Sequence, residues 1–281
     1  MIQWREVSVG VSDAESAEVA AILQTQAAGG TVIEETREGT VVRAYFPLEA
    51  SPELGAGALS TLAHRFPHLR PLDRPLMEKE WMQGWRSFFP PVPVGERLLI
   101  LPPWEHRRPP EARVAVVIDP GPAFGTGHHP TTQMCLEAME RNLRPGMRVL
   151  DLGTGSGILA IAAALLGAEK VVALDTDWVA TKAARDNARA NRVLGRVSML
   201  TGSLNGRLKA FDLLLANISS QTVIEVAHPL AHAARPGAVL AASGFLANSL
   251  SAVEHALGEA GWQPMDVLTS DEWRTLVVGR I

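Results

Sequence analysis

The chain of 281 residues contains a single cysteine, Cys135. That excludes an internal disulfide framework and a cysteine-rich zinc site, and it suits a reducing compartment. No apolar stretch reaches the roughly 18 residues that a bilayer span requires; runs such as ILAIAAALLG from Ile158 fall well short. The N-terminus lacks a basic segment followed by an apolar one, so no signal peptide is expected and the predicted location is cytoplasmic. Net charge is small too, with 26 basic against 30 acidic residues. The imbalance is local: residues 1–70 hold nine acids and five bases, a net of −4, whereas the remaining 211 residues hold 21 of each sign. An acidic segment repels phosphates and attracts basic protein surfaces. The balance suits either a basic protein partner or ordinary solubility charge; neither nucleic acid nor membrane is expected.

The first part alternates strand and helix signals. WREVSVGV alternates apolar and polar residues as a strand does, and a helical stretch begins at Asp13 and ends at Gly29 and Gly30. Two strands follow around a turn at Glu38 and Gly39, then a helix over residues 51–66 and a short strand at 68–72. This βαββαβ order predicts a small ferredoxin-like domain over residues 1–72. Residues 73–112 read as a connector, in which Trp81, Trp85, Phe88 and Phe89 share one side of a helix that Pro90 and Pro91 stop. From residue 113 to 281 strands and helices alternate, as an α/β sheet with parallel core strands requires, and the last two strands read as a hairpin around Asp271 and Glu272.

Three features carry chemistry. DLGTGSG, Asp151 to Gly157, sits where a strand gives way to a helix, so its glycines allow close backbone approach and the helix start offers N–H donors to an anionic group. A dinucleotide fingerprint would need a third glycine where this chain has Ile158. Asp175 ends the next strand, 22 residues after Gly153, where a carboxylate can accept both hydroxyl protons of a ribose; the nearby Asp177 suits a helix cap better. Asn217 ends the strand DLLLAN and offers one acceptor and two donors at the same sheet edge; it can position an amine nucleophile or cap the following helix.

A fourth segment, DPGPAFGTGHHPTT from Asp119 to Thr132, admits three readings: linker, metal loop or wall of a ligand site. Adjacent side chains such as His128 and His129 are poorly placed to share a metal, and no cysteine or carboxylate lies at ligand spacing, so no metal is expected. Thr131 and Thr132 open an apolar helix, TTQMCLEAME, which a plain linker would not do.

DLGTGSG, Asp175 and the terminal hairpin resemble the seven-stranded class I methyltransferases that use S-adenosylmethionine. DPGPAFGTGHHPTT, DLGTGSGILAIAA and ANIS, with EWMQGWRSFF and GERLLILPPW in the connector, are similar to one branch, the methyltransferases of large-subunit ribosomal protein eleven. The resemblance spans nearly the whole chain, and FGTGxHPTT is its most specific element. It implies a Rossmann-like domain over 113–281 and S-adenosylmethionine contacts at Thr132, Gly153, Gly155, Asp175 and Asn217. It also implies that Phe124, Gly125, Thr126 and Gly127 fold over the cofactor's methionine end, that Asn217 orients the amine, and that residues 1–72 recognise the ribosomal protein and swing relative to the catalytic domain. Strand four ends in Asn217-Ile218-Ser219-Ser220 rather than the Asn-Pro-Pro-Tyr of many glutamine and adenine methyltransferases, which lowers the expectation of nucleobase chemistry. The expected activity is methylation of lysine side-chain and N-terminal amines. The alternatives are the same core acting on another protein or a small amine, and a cofactor-binding regulatory module without catalysis.

Overall fold

The computed structural model describes residues 4–24, 30–36, 39–47, 56–76, 86, 88–121 and 123–281. The chain divides into two compact units, Met1–Phe88 and Phe89–Ile281. The helix expected through Trp81 and Trp85, the helix end at Gly29 and the first residues of the helix expected over 51–66 lie outside the described residues.

The first unit runs β1 (Trp4–Val11), α1 (Asp13–Gln24), β2 (Thr31–Thr36), β3 (Gly39–Pro47), α2 (Ala56–Arg65) and β4 (Leu72–Leu76), with an antiparallel sheet in the order β2-β3-β1-β4. Its core follows from period-2 alternation: Val7 and Val9 of β1 and Val42, Ala44 and Phe46 of β3 turn one way and pack with Val19, Leu23 and Leu62 of the helices. On β1 Glu6 alternates with these residues; although buried, it is paired, accepting from Arg43 at 3.1 Å and Arg74 at 3.2 Å. The last strand lies four residues beyond the expected 68–72. Pro75 argues against a strand at Leu72–Leu76, but β4 is an edge, and an edge strand tolerates a residue that cannot donate to the ladder.

The second unit begins with a three-stranded sheet of β5 (Val92–Val94), β6 (Leu98–Leu101) and β7 (Val114–Val117). The connector's strands thus join the first strand expected for the α/β domain rather than standing apart from it. Then follow α3 (Pro130–Asn142), β8 (Arg148–Leu152), α4 (Ile158–Leu165), β9 (Lys170–Asp175), α5 (Trp178–Ala190), β10 (Val197–Thr201), β11 (Phe211–Asn217), α6 (Ser220–Glu225), α7 (Ala227–Ala233), β12 (Ala234–Leu246), α8 (Leu250–Glu259), β13 (Trp262–Ser270) and β14 (Trp273–Arg280). Seven strands form the main sheet in the order β10-β9-β8-β11-β12-β14-β13; β10 to β12 run parallel and β14 is antiparallel to both neighbours.

Parallel strands covered on both faces read as continuous apolar runs, and VLDL of β8 and LLLA of β11 are buried throughout. The helix read through VIEVAHPLAHAA is two helices. Pro229 cannot donate to the carbonyl of Glu225 and its ring crowds that carbonyl, so the first helix stops at Glu225. The strand order reverses between β8, which leads out to β9 and β10, and β11, which leads the other way. Such a switch point opens a crevice at the carboxyl ends of the strands.

Candidate active site

A cavity of about 650 Å³ lies at that switch point. Its wall comes from the ends of β8 (Leu152, Gly153), β9 (Asp175) and β11 (Asn217), the turn after β10, α6 and Phe124. Of the residues expected to form the site, Phe124, Gly153, Gly155, Asp175 and Asn217 line it. Thr132 stands behind the wall, fully buried on α3 and hydrogen-bonded to Asn217. Gly125, Thr126 and Gly127 are not on the wall. The Gly125 carbonyl accepts from Ser156 Oγ at 2.6 Å, the Gly127 carbonyl accepts from Gln133 Nε2 at 3.0 Å, and Thr126 borders a separate small recess with Pro90 and Ile100.

The glycine loop offers no anion cradle, which corrects the expectation for DLGTGSG. Every amide from Gly153 to Ile158 already donates within the protein: Gly153 and Thr154 to Leu174 O, Gly155 to Asp175 Oδ2, Ser156 to Phe124 O, Gly157 to Thr154 O and Ile158 to Ser156 Oγ. What the glycines provide is room. A Cβ on Gly153 would lie 2.3 Å from Ile218 Cγ2, and one on Gly155 would lie 2.4 Å from the Phe124 carbonyl oxygen. Both have positive φ, 73° and 54°, which glycine adopts without strain. These two residues let the end of β11 and the FGTG segment close onto the loop.

Asp175 accepts from Gly155 N at 2.9 Å on Oδ2 and from Asp177 N at 3.0 Å on Oδ1. A carboxylate has about four lone-pair sites, so Asp175, which lines the cavity, can accept two more bonds. Asp177 caps α5, accepting from Val179 N at 2.8 Å. Both aspartates line the cavity, but only Asp177 also caps the helix.

Asn217 is not a helix cap, because Ser219 caps α6 by accepting from Thr222 N at 3.3 Å. Its Nδ2 donates to Thr132 Oγ1 at 3.2 Å, while its Oδ1 is buried with no protein partner. A buried carbonyl without a donor costs about 1–3 kcal/mol, so Asn217, a residue that lines the cavity, keeps an acceptor that no protein group uses. Behind the wall, Asp151 is fully buried; its Oδ2 accepts from Thr154 Oγ1 at 2.6 Å and Ala160 N at 3.1 Å. Burial pushes its carboxyl up to about 7 against those two lowering bonds. Burial likewise pushes the Cys135 thiol up to about 12, so Cys135 packs as a small neutral side chain.

The two histidines of the FGTGHHPTT stretch face different partners. His128 Nε2 lies 3.1 Å from Pro90 O, and its ring packs edge-on against Phe89. His129 caps α3, with Nδ1 2.7 Å from Thr131 Oγ1, and its ring sits between Phe124 at 5.5 Å and Trp273 at 4.8 Å. The cap is thus His129, and the two threonines lie inside the helix.

Sequence reading missed two parts of the site and one support behind it. Gly202, Ser203 and Leu204 line the cavity from the turn after β10, a position that strand order alone brings to the same edge. Thr222, Glu225 and Val226 line it from α6 and the residue after it, at helical spacings that could have been noticed. Asn187 and Asn191 of α5 and its C-cap bond to residues about 70 positions distant, which no local pattern reveals.

The family model described as ribosomal protein L11 methyltransferase (PrmA) matches residues 3–280. The chain belongs to this family. A ribosomal protein L11 methyltransferase of Chloroflexus aurantiacus is 35% identical over 318 aligned positions, covering 98% of this chain and 97% of the relative. One from Symbiobacterium thermophilum is 39% identical and covers 80% of this chain and 71% of the relative. The crystal structure of a ribosomal protein L11 methylase from Lactobacillus delbrueckii subsp. bulgaricus superposes with a TM-score of 0.64 at 32% identity, covering 68% of this chain and 98% of that one. As an L11 methyltransferase family member the chain is an enzyme that transfers methyl groups to protein, and its α/β architecture is that of a methyltransferase.

Proposed function

We propose that this enzyme transfers methyl groups from S-adenosylmethionine to lysine side-chain and N-terminal amines of ribosomal protein L11, in the cytoplasm and without direct contact to nucleic acid or membrane. The substrate reading rests on family membership over residues 3–280. The catalytic reading rests on one observation: Asn217 Oδ1 is buried and unpartnered beside a cavity of about 650 Å³.

The residues present suit the cofactor. Asp175 keeps two lone pairs for the ribose hydroxyls, and the cavity volume falls within the range usual for such ligands. The glycine loop's own amides are spent, so Gly153 and Gly155 contribute closeness and Phe124 covers the methionine end. Phe124 acts as the lid, with the Gly125 and Gly127 carbonyls anchoring its segment and Thr132 holding Asn217 from behind. When bound, S-adenosylmethionine supplies a methyl group already activated on a positive sulfur, so the protein's task is placement.

Asn217 performs that placement. Its Oδ1 accepts an N–H of the incoming amine, and its own Nδ2 is fixed by Thr132, so the carbonyl direction is set by the fold. The amine must arrive neutral. A lysine has an ordinary pKa of about 10.4 and an α-amino group about 8. A partly dehydrated cavity disfavours the ammonium, and the proton leaves to water. The Met1–Phe88 unit, whose strand order β2-β3-β1-β4 matches a ferredoxin-like sandwich, serves as the L11-recognition domain. Its acidic excess suits a basic ribosomal protein.

Purified enzyme given S-adenosylmethionine is expected to release S-adenosylhomocysteine only when unmodified L11 is added. Release that is independent of L11, or absent with it, overturns the reading.

A further inference from the structure

Resting on the reading of the cavity as the cofactor site, we infer that Asn187, with Asn191, is a positioning residue for the cofactor lid. The two side chains project one turn apart from α5 and its C-cap; Asn191 reaches Val117 at the end of β7, and Asn187 reaches Asp119, where DPGPAFGTG begins. Asn191 binds Val117 on both sides: Oδ1 accepts from Val117 N at 2.8 Å and Nδ2 donates to Val117 O at 2.6 Å. Its amide acts there as a neighbouring strand would, extending β7's ladder with a side chain. Asn187 Oδ1 accepts from Asp119 N at 3.0 Å, and its Nδ2 donates to Ser156 O at 2.9 Å in the glycine loop. Asn187 is buried, so these bonds are shielded from water.

Ser156 is where the two segments meet. Its N–H donates to Phe124 O at 2.8 Å and its Oγ to Gly125 O at 2.6 Å, while its own carbonyl is held by Asn187. One amide side chain therefore ties the start of the lid segment, at Asp119, and the glycine loop that receives its tip, at Phe124 and Gly125, to a single rigid helix. Phe124 lines the cavity although 57% of it is exposed, and the Asn187 bracket sets where its backbone rests. Asn187 touches no part of the cavity wall and acts only through these two segments.

The test uses the full chain and two readouts. In Asn187→Ala, and separately Asn191→Ala, amide hydrogen exchange over residues 123–127 without cofactor is expected to rise, while the amides of β11 keep their protection. By calorimetry the Kd for S-adenosylmethionine is expected to rise about tenfold, as loss of two buried hydrogen bonds implies. Turnover at saturating cofactor stays within about twofold, since the reacting groups are intact. Val193→Ala, a buried apolar truncation just beyond α5, controls for general destabilisation and is expected to change neither readout. Unchanged exchange over 123–127 in a folded asparagine variant overturns the inference, as does an equal response in Val193→Ala. Failure of the wild-type chain to bind S-adenosylmethionine sinks the cofactor reading instead, and the exchange readout still decides the role of Asn187.

Discussion

Asn217 Nδ2 donates to Thr132 Oγ1 across 3.2 Å, which leaves Asn217 Oδ1 buried and free. The two residues are 85 positions apart in sequence, one ending β11 and the other in the first turn of α3. Fixing one end of an amide is how a flexible side chain becomes a directed acceptor.

Asn217→Ala is therefore expected to lower kcat about a hundredfold, the scale typical of removing one aligned polar contact from a reaction site. Asn217→Asp keeps an acceptor but loses the donor to Thr132, and is expected to fall between. Steady-state kinetics with L11 as substrate check the order; equal rates for Asn217→Ala and wild type would remove Asn217 from the mechanism.

Asp175→Ala removes a charged acceptor that also holds Gly155 N and Asp177 N. Charge-assisted hydrogen bonds contribute about 1.5–3 kcal/mol each, so affinity for S-adenosylmethionine should drop by more than about tenfold. Calorimetric titration reads this directly, and unchanged affinity would refute the ribose assignment.

The crowding at the glycine loop makes two substitutions behave differently. Gly153→Ala brings a Cβ against Ile218, a side chain, whereas Gly155→Ala brings one against the Phe124 carbonyl, which is backbone. Each is expected to cost about 2 kcal/mol or more from positive φ and contact together. Ile218→Ala should restore part of the melting temperature lost in Gly153→Ala, while Phe124→Ala should restore nothing to Gly155→Ala. Thermal unfolding of the four variants and the two double variants separates these outcomes.

Asp151 gives a pH prediction. Its folded-state value, about 7, lies above the ordinary 3.8, so the folded protein holds an extra proton between those limits. Stability from this group is full below the lower value and is lost as pH rises through the upper one. Between pH 5 and 8 the wild type should lose more melting temperature than Asp151→Asn, by an amount reflecting a few kcal/mol. Parallel curves for the two proteins would show that Asp151 is ionised throughout.

Much of this site was legible because strand ends are legible. Asp175 and Asn217 each close an apolar run that only a buried parallel strand explains, and glycines after β8 mark a close approach. The purpose of those glycines was not legible: which atoms they make room for, Ile218 Cγ2 and Phe124 O, depends on tertiary contacts. The same holds for Asn187 and Asn191, whose partners at Val117, Asp119 and Ser156 lie far away in sequence. In the first unit the edge position of β4 overrode the discouraging Pro75, and sheet order is not written in a five-residue stretch. The break before α7 could have been read from Pro229, since its missing N–H falls four residues after Glu225.

The central claim, methyl transfer to amines of L11, is tested most directly by the intact mass and peptide map of unmodified L11 after incubation with this enzyme and S-adenosylmethionine. The account predicts whole-methyl increments confined to lysine side chains and the N-terminal amine, and strongly reduced with Asn217→Ala. An L11 mass that stays unchanged while the enzyme demonstrably binds S-adenosylmethionine would contradict it.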